Sequence, residues 1–318
     1  MATSSARPRR KRAAALFAVF APFAALCAGT QDILVCNQNG QAIEIYDASG
    51  SNVWRWTAKD DPTIPDCWKA GFADNVAESK PVGGGAKIGM VSCGGRWAII
   101  DRETRKADAW GINDGWSHSI ETIGNDVVAV VSTGGTGGNS LFLFDISGDA
   151  AKNPDLQGKS VLKFNSPHGL HWDGKWLWLV DRLGLHRCRV ARRDDGAPGA
   201  EVDKTWEFKP LGVINGHDLR PVSGSMLLAM TTHEKVLFFD MGIEKWREDL
   251  FVERQDVKAF DPSPDGKSFL SATAKTKWWT DTLELCDPWA KPGSASFSPL
   301  LAISGARIYK ARWMPRGR

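Results

Sequence analysis

Residues 216–240 read GHDLRPVSGSMLLAMTTHEKVLFFD, and the fold follows from how this stretch is parsed. A histidine and an apolar step at Leu219 lead through a Gly-Ser turn into Met226–Met230, an apolar run of strand length. After a polar turn, Val236–Phe239 form a second such run, which ends in Asp240. Short aliphatic, aromatic or β-branched runs bounded by turn residues read as strands. An aspartate closing such a run accepts amide hydrogens from the next turn, so its position has a structural cause.

Both features recur along the chain, and helical periodicity is nearly absent. An apolar strand ends in Asp at Tyr46-Asp47, Ile100-Asp101, Phe144-Asp145 and Cys286-Asp287. A basic or imidazole residue, any residue, then usually an apolar one reads Lys80-Pro81-Val82, His118-Ser119-Ile120, His168-Gly169-Leu170, His217-Asp218-Leu219, Lys258-Ala259-Phe260 and Lys310-Ala311-Arg312. Six copies between Lys80 and Lys310 give a period of about 45 residues, the range of β-propeller blades. Lys310 opens an innermost strand with no partners after it. Ile33–Cys36, Ile43–Asp47 and Val53–Trp56 are three strands with no innermost strand before them. Together they complete one blade and close the ring without free edges. The expectation is an all-β, six-bladed propeller over residues 29–318. Seven blades are the alternative, because Lys277 to Ser298 is irregular enough to hide a repeat.

Residues 1–28 are set apart. Arg7, Arg9, Arg10, Lys11 and Arg12 precede an apolar run, Ala13–Ala25, and small residues follow near Ala28. This is the pattern of a secretory signal peptide, and the run is short for a membrane span. A secreted protein, extracellular or periplasmic, without stable membrane insertion and monomeric, is expected. The whole chain carries a formal +3. Without those five cations the remainder is slightly acidic, which argues against nucleic acid as a partner. Five cysteines remain, an odd number: most are expected as buried hydrophobes, with one disulfide possible.

In a propeller the innermost strands border the central channel, so the six basic positions are expected to converge at one mouth. Three imidazoles, His118, His168 and His217, could hold a divalent metal such as Mn, Fe or Zn. Lys80, Lys258, Lys310 and Arg312 could serve as bases or stabilise an enolate beside a carboxylate. The plainer alternative is that each caps buried carbonyls at a blade entrance. Fifteen tryptophans serve mainly to pack blades, but Trp116, Trp172, Trp278, Trp279 and Trp313 lie near ring positions or loop ends. Indole faces stack on sugar rings, so Trp116, Trp279 and Trp313, with Arg220 and Gln38, are the candidate ligand contacts. The glycine-rich runs Gly83–Gly85 and Gly134–Gly138 join no strand to a helix and read as turns, not phosphate loops.

The pattern Cys36-Asn37-Gln38, His118-Ser119, His168-Gly169-Leu170, Gly216-His217-Asp218-Leu219, Val257-Lys258 and Tyr309–Trp313 resembles a family of secreted, uncharacterised six-bladed propellers, with Asn37 where that family has Asp. The resemblance implies the fold and no established activity. More distantly the chain is similar to oligogalacturonate lyase, a propeller with a manganese held by histidines and a glutamine. That similarity implies parts for His118, His168, His217 and Gln38. Two functions follow as expectations. One is a carbohydrate-active enzyme performing lyase-type elimination on an acidic or oxidised sugar. The other is a non-enzymatic propeller that binds a glycan or a protein.

Overall fold

The computed structural model describes residues 31–135, 138–147, 160–275, 277–289 and 295–315. The signal-peptide reading of residues 1–28 lies outside them. Six four-stranded antiparallel sheets follow one another around an axis as the six blades of a β-propeller. Blade 1 is built from both ends of the chain. Its innermost strand is the last, Ile308–Pro315, and its other three are Gln31–Asn37, Ala42–Tyr46 and Asn52–Trp56. Leu34 faces Arg312 and Val35 faces Ala311 across the closing seam. There is no seventh blade: the irregular stretch after Lys277 supplies the third and fourth strands of blade 6, Thr282–Asp287 and Ser296–Ala302.

The core lies between blades. Six apolar clusters each join strands of two neighbours, as where Leu34, Ile43 and Trp56 of blade 1 meet Ile88, Met90 and Ile100 of blade 2. Tightly twisted sheets meet face to face there, and large side chains fill the interface. The aspartates behave as their spacing predicts. Asp47, Asp101, Asp145, Asp240 and Asp287 each accept a backbone amide hydrogen from the following turn at 2.7–3.0 Å. The cysteines Cys36, Cys67, Cys93, Cys188 and Cys286 are all free thiols.

The α-helix, α1 (Asp66–Ala73), has no counterpart in the sequence reading. Its eight residues carry one strong apolar anchor, Phe72, whose ring meets Trp56 and Trp110 edge-on at 6.5 and 6.1 Å. Before it, Asp61 takes the Trp56 indole N–H at 3.0 Å and the Ala107 amide at 2.7 Å, which ties the loop down. No helix among the described residues is long and apolar enough to cross a membrane.

Candidate functional site

The innermost strands start at one mouth of the channel, and their residues descend from it in levels. His118 and Lys258 sit where the pairing with the next strand slips, between Ser117 and Ser119 and between Val257 and Ala259. The corresponding slip in blade 2 holds Ala77, and the one in blade 1 holds Tyr309 and Lys310. A slip of this kind turns successive side chains toward the axis. His168 and His217 occupy the same level, their amides bonded to Val180 O and Thr231 O. The six expected positions therefore do not form one ring. His118, His168, His217 and Lys258 share the mouth level. Lys310 lies below it, level with Glu78 and Ser119, and Lys80 is deeper still, beside Glu121. The slips shift strand residues by one position relative to the tripeptide period, which the sequence does not display.

Below the mouth the channel is filled by paired charges. Arg312 donates to both carboxylate oxygens of Asp218, at 2.8 and 2.6 Å, and to Glu78. The Lys310 ammonium lies 3.5 Å from Asp218 and 3.6 Å from Glu78, and donates to the His118 and His168 carbonyls at 3.3 and 3.0 Å. Lys80 donates to Leu170 O at 2.6 Å and lies 3.5 Å from Glu78 and 3.7 Å from Glu121. Arg220 clasps Asp261 at 2.5 Å. Four cations thus meet four carboxylates. Burial opposes ionisation of Glu78, yet Lys310, Lys80 and Arg312 hold its pKa down at about 2. Burial likewise lowers the Lys80 ammonium, against the pull of Glu78 and Glu121. Lys80 is 2% exposed and Lys310 and Arg312 are wholly buried. They cap neighbouring blades' carbonyls and carboxylates and have no face to offer a ligand. Lys258 is also buried, 3.4 Å from Asp256.

At the mouth the imidazoles form a row. Ring centroids of His118 and His168 are 4.3 Å apart, those of His168 and His217 4.8 Å apart at 12°, and His233 continues the row 4.7 Å from His217. The Nδ1 atoms of His168 and His217 donate to Ser166 O at 2.8 Å and Asn215 O at 2.9 Å. Burial, then the neighbouring cationic and imidazole groups, pushes His118 and His217 well below the usual imidazole range. Burial also brings His168 to about 4 against the help of the Ser166 carbonyl. These rings are neutral at physiological pH. Metal-binding lone pairs lie in the ring plane, and His168 and His217, stacked at 12°, direct theirs side by side and not at a shared point. Among the described residues no group of three His, Cys, Asp or Glu is placed to hold an ion.

Beside the row, between blades 6, 1, 2 and 3, the mouth opens into a cavity of about 550 Å³ lined by Gln38, Asp74, Asn75, Cys93, Trp116, His118, Trp278 and Tyr309. Trp116 is 58% and Trp278 46% exposed, the two most open indoles of the described chain. Trp278 donates its indole N–H to Gln38 Oε1 at 3.1 Å. The ring of Trp116 lies over Gly134, which has φ of 58° and leaves no room for a Cβ, 2.9 Å from the indole. His118 Nδ1 has no hydrogen-bond partner. Among the described residues the only carboxylate on the cavity wall is Asp74, and no lysine or arginine lines it.

Of the expected ligand contacts, Trp116 and Gln38 come together here, beside His118, one of the three expected metal ligands. Trp279 does not: it lies under Arg307, 5.5 Å from ring to guanidinium. Trp313 is 7% exposed and packs in the core between blades 6 and 1. Arg220 is held by Asp261 below the mouth. Asp74, Asn75, Cys93 and Tyr309 were missed. Tyr309 was legible as the residue before Lys310, had the slip been known, whereas Asp74 arrives only through α1. Asn37, anomalous beside the resembled family, donates to Glu44 at 3.1 Å and accepts from the Gly40 amide at 3.1 Å. An ionised Asp there would set two carboxylates against each other.

No protein-family model matches the chain, and no curated protein matches it significantly. Among solved structures, a chain in the crystal structure of a mitotic checkpoint complex superposes with a TM-score of 0.55 at 14% identity, covering 86% of this chain and 75% of that one. At that identity the likeness concerns the fold alone.

Proposed function

We propose that this protein is a carbohydrate-binding propeller whose site is the cavity at the channel mouth. One observation carries the reading: two half-open indoles, Trp116 and Trp278, flank a cavity otherwise lined by hydrogen-bonding groups. An indole face is apolar and matches the C–H face of a pyranose, while Gln38, Asn75, Asp74 and His118 can exchange hydrogen bonds with its hydroxyls. Asp74, with no cation on the wall, disfavours a carboxylate ligand, so the sugar in this cavity is neutral or carries an amine. The export-signal composition of residues 1–28 supports placing such a protein outside the cytoplasm.

The test is titration calorimetry with neutral mono- and oligosaccharides of glucose, galactose, mannose and N-acetylglucosamine, and with uronate oligomers. Binding of a neutral sugar, weakened about tenfold or more by Trp116→Ala or Trp278→Ala, supports the reading. Binding unaffected by both substitutions, or binding of uronates alone, contradicts it.

Elimination is the second reading, favoured by one observation: His118, on the cavity wall, carries a neutral imidazole. Such a base can take the proton next to a sugar carboxylate as the glycosidic oxygen leaves. The cations that would steady that carboxylate are buried below. Rising ultraviolet absorbance from an unsaturated product, lost in His118→Ala, would establish this activity.

A further inference from the structure

Successive strands of a blade alternate in direction, so every turn after a second strand and every connection between blades lies at the same mouth. In blade 1 the innermost strand descends from the mouth and Gln31–Asn37 returns to it. The turn 38–41 therefore sits at the rim, as does the connection from Trp56 to Val76 that carries α1. Between them lies a second cavity of about 510 Å³, walled by Gly40, Arg55, Thr57, Asp60, Lys69 and Ala73.

The two cavities share their partition. Gln38 faces the mouth cavity, and Gly40, two residues on, faces the second. Asp74 faces the first, and Ala73, its chain neighbour, the second. Residues so spaced are only about 4–7 Å apart along the backbone. The partition is held in place: Gln41 N bonds Gln38 O at 3.3 Å and Gly40 N bonds Asn37 Oδ1 at 3.1 Å.

We propose that the second cavity is a further sugar subsite, so that the ligand is an oligosaccharide crossing the 38–41 turn. This inference rests on the mouth reading and deepens it. The walls differ as two subsites for one chain should. The mouth cavity offers indole faces, whereas the second offers donors and acceptors: the half-exposed Arg55 guanidinium, the Lys69 ammonium, the Thr57 hydroxyl and the Asp60 carboxylate. Arg55 lies 3.4 Å from Glu44 and Lys69 2.9 Å from Asp66, and the wall also carries Lys59 next to Asp60, whose carboxylate accepts from the Thr57 hydroxyl at 2.7 Å. Balanced charges with spare hydrogen-bonding capacity suit hydroxyls better than an anion.

The experiment is calorimetry of the full chain with mono-, di-, tri- and tetrasaccharides from the four neutral series named above. Affinity is expected to rise by about tenfold or more from the monosaccharide to the trisaccharide. Arg55→Ala is expected to remove most of that gain and leave monosaccharide affinity unchanged. Ala70→Trp, at an exposed helix position on the same cavity, should fill the cavity and do the same, with an unaltered thermal melt as the folding control. Affinity independent of length, with monosaccharide binding intact, overturns the second subsite and spares the mouth reading. No binding by any member overturns both.

Discussion

Arg312, expected among the catalytic groups, is heavily committed to structure, together with the two carboxylates that hold it. Glu78, Asp218 and Arg312 have no exposed surface to speak of, and each carboxylate serves at least two cations. Neutralising one member leaves a buried charge without its partner, which costs about 3–5 kcal/mol. Glu78→Gln is therefore expected to lower unfolding free energy by about that amount in urea, whereas His233→Ala, at the rim of the imidazole row, should change it little. A Glu78→Gln protein as stable as the parent would contradict the network. The six basic positions were legible as a periodic signal but not as roles. Sequence period finds the strand, whereas a one-residue slip in pairing decides whether a side chain sits at the mouth, as His118 does, or below it, as Lys310 does.

Strands, turns and the closing blade were readable because each rests on local chemistry: apolar runs, aspartates that accept turn amides, and orphan strands at both ends. Helix α1 was not, since Phe72 docks between tryptophans from two blades and nothing in eight residues announces that. Asp74 and the second cavity were hidden with it. Gly134 and Gly135 both take positive φ, and the effect of Gly134 on Trp116 is invisible in the sequence. A Gly134→Ala change adds a methyl at positive φ within 2.9 Å of that indole, so it should displace the ring, weaken sugar binding and cost about 1–2 kcal/mol of stability. Removing residues 308–318 takes the innermost strand from blade 1 and leaves the edge of Gln31–Asn37 unpaired. The truncated chain is expected to aggregate or stay unfolded, read by size exclusion and far-ultraviolet circular dichroism; a stable truncated monomer would contradict the shared blade.

The whole molecule should respond to acid in two stages. His168 titrates at about 4 when folded, against 6.5 for an unperturbed imidazole. Its folded value is depressed, so the unfolded chain binds the proton first. Stability is complete above pH about 6.5 and falls as pH drops toward 4, with His118 and His217 adding in the same direction. Glu78, at about 2 when folded against 4.5, extends the loss from pH about 4.5 toward 2. Denaturation midpoints measured from pH 8 to 3 should stay level down to about 6.5 and then decline; stability that rises on acidification through that window would contradict neutral buried imidazoles.

The most direct measurement is a crystal structure of the protein soaked with the neutral oligosaccharide that binds most tightly. One sugar ring is expected between Trp116 and Trp278, beside Gln38 and Asp74, with the chain leading over the 38–41 turn. A sugar seated at the opposite mouth, or on the outer strands of a blade with the two indoles empty, would contradict this placement.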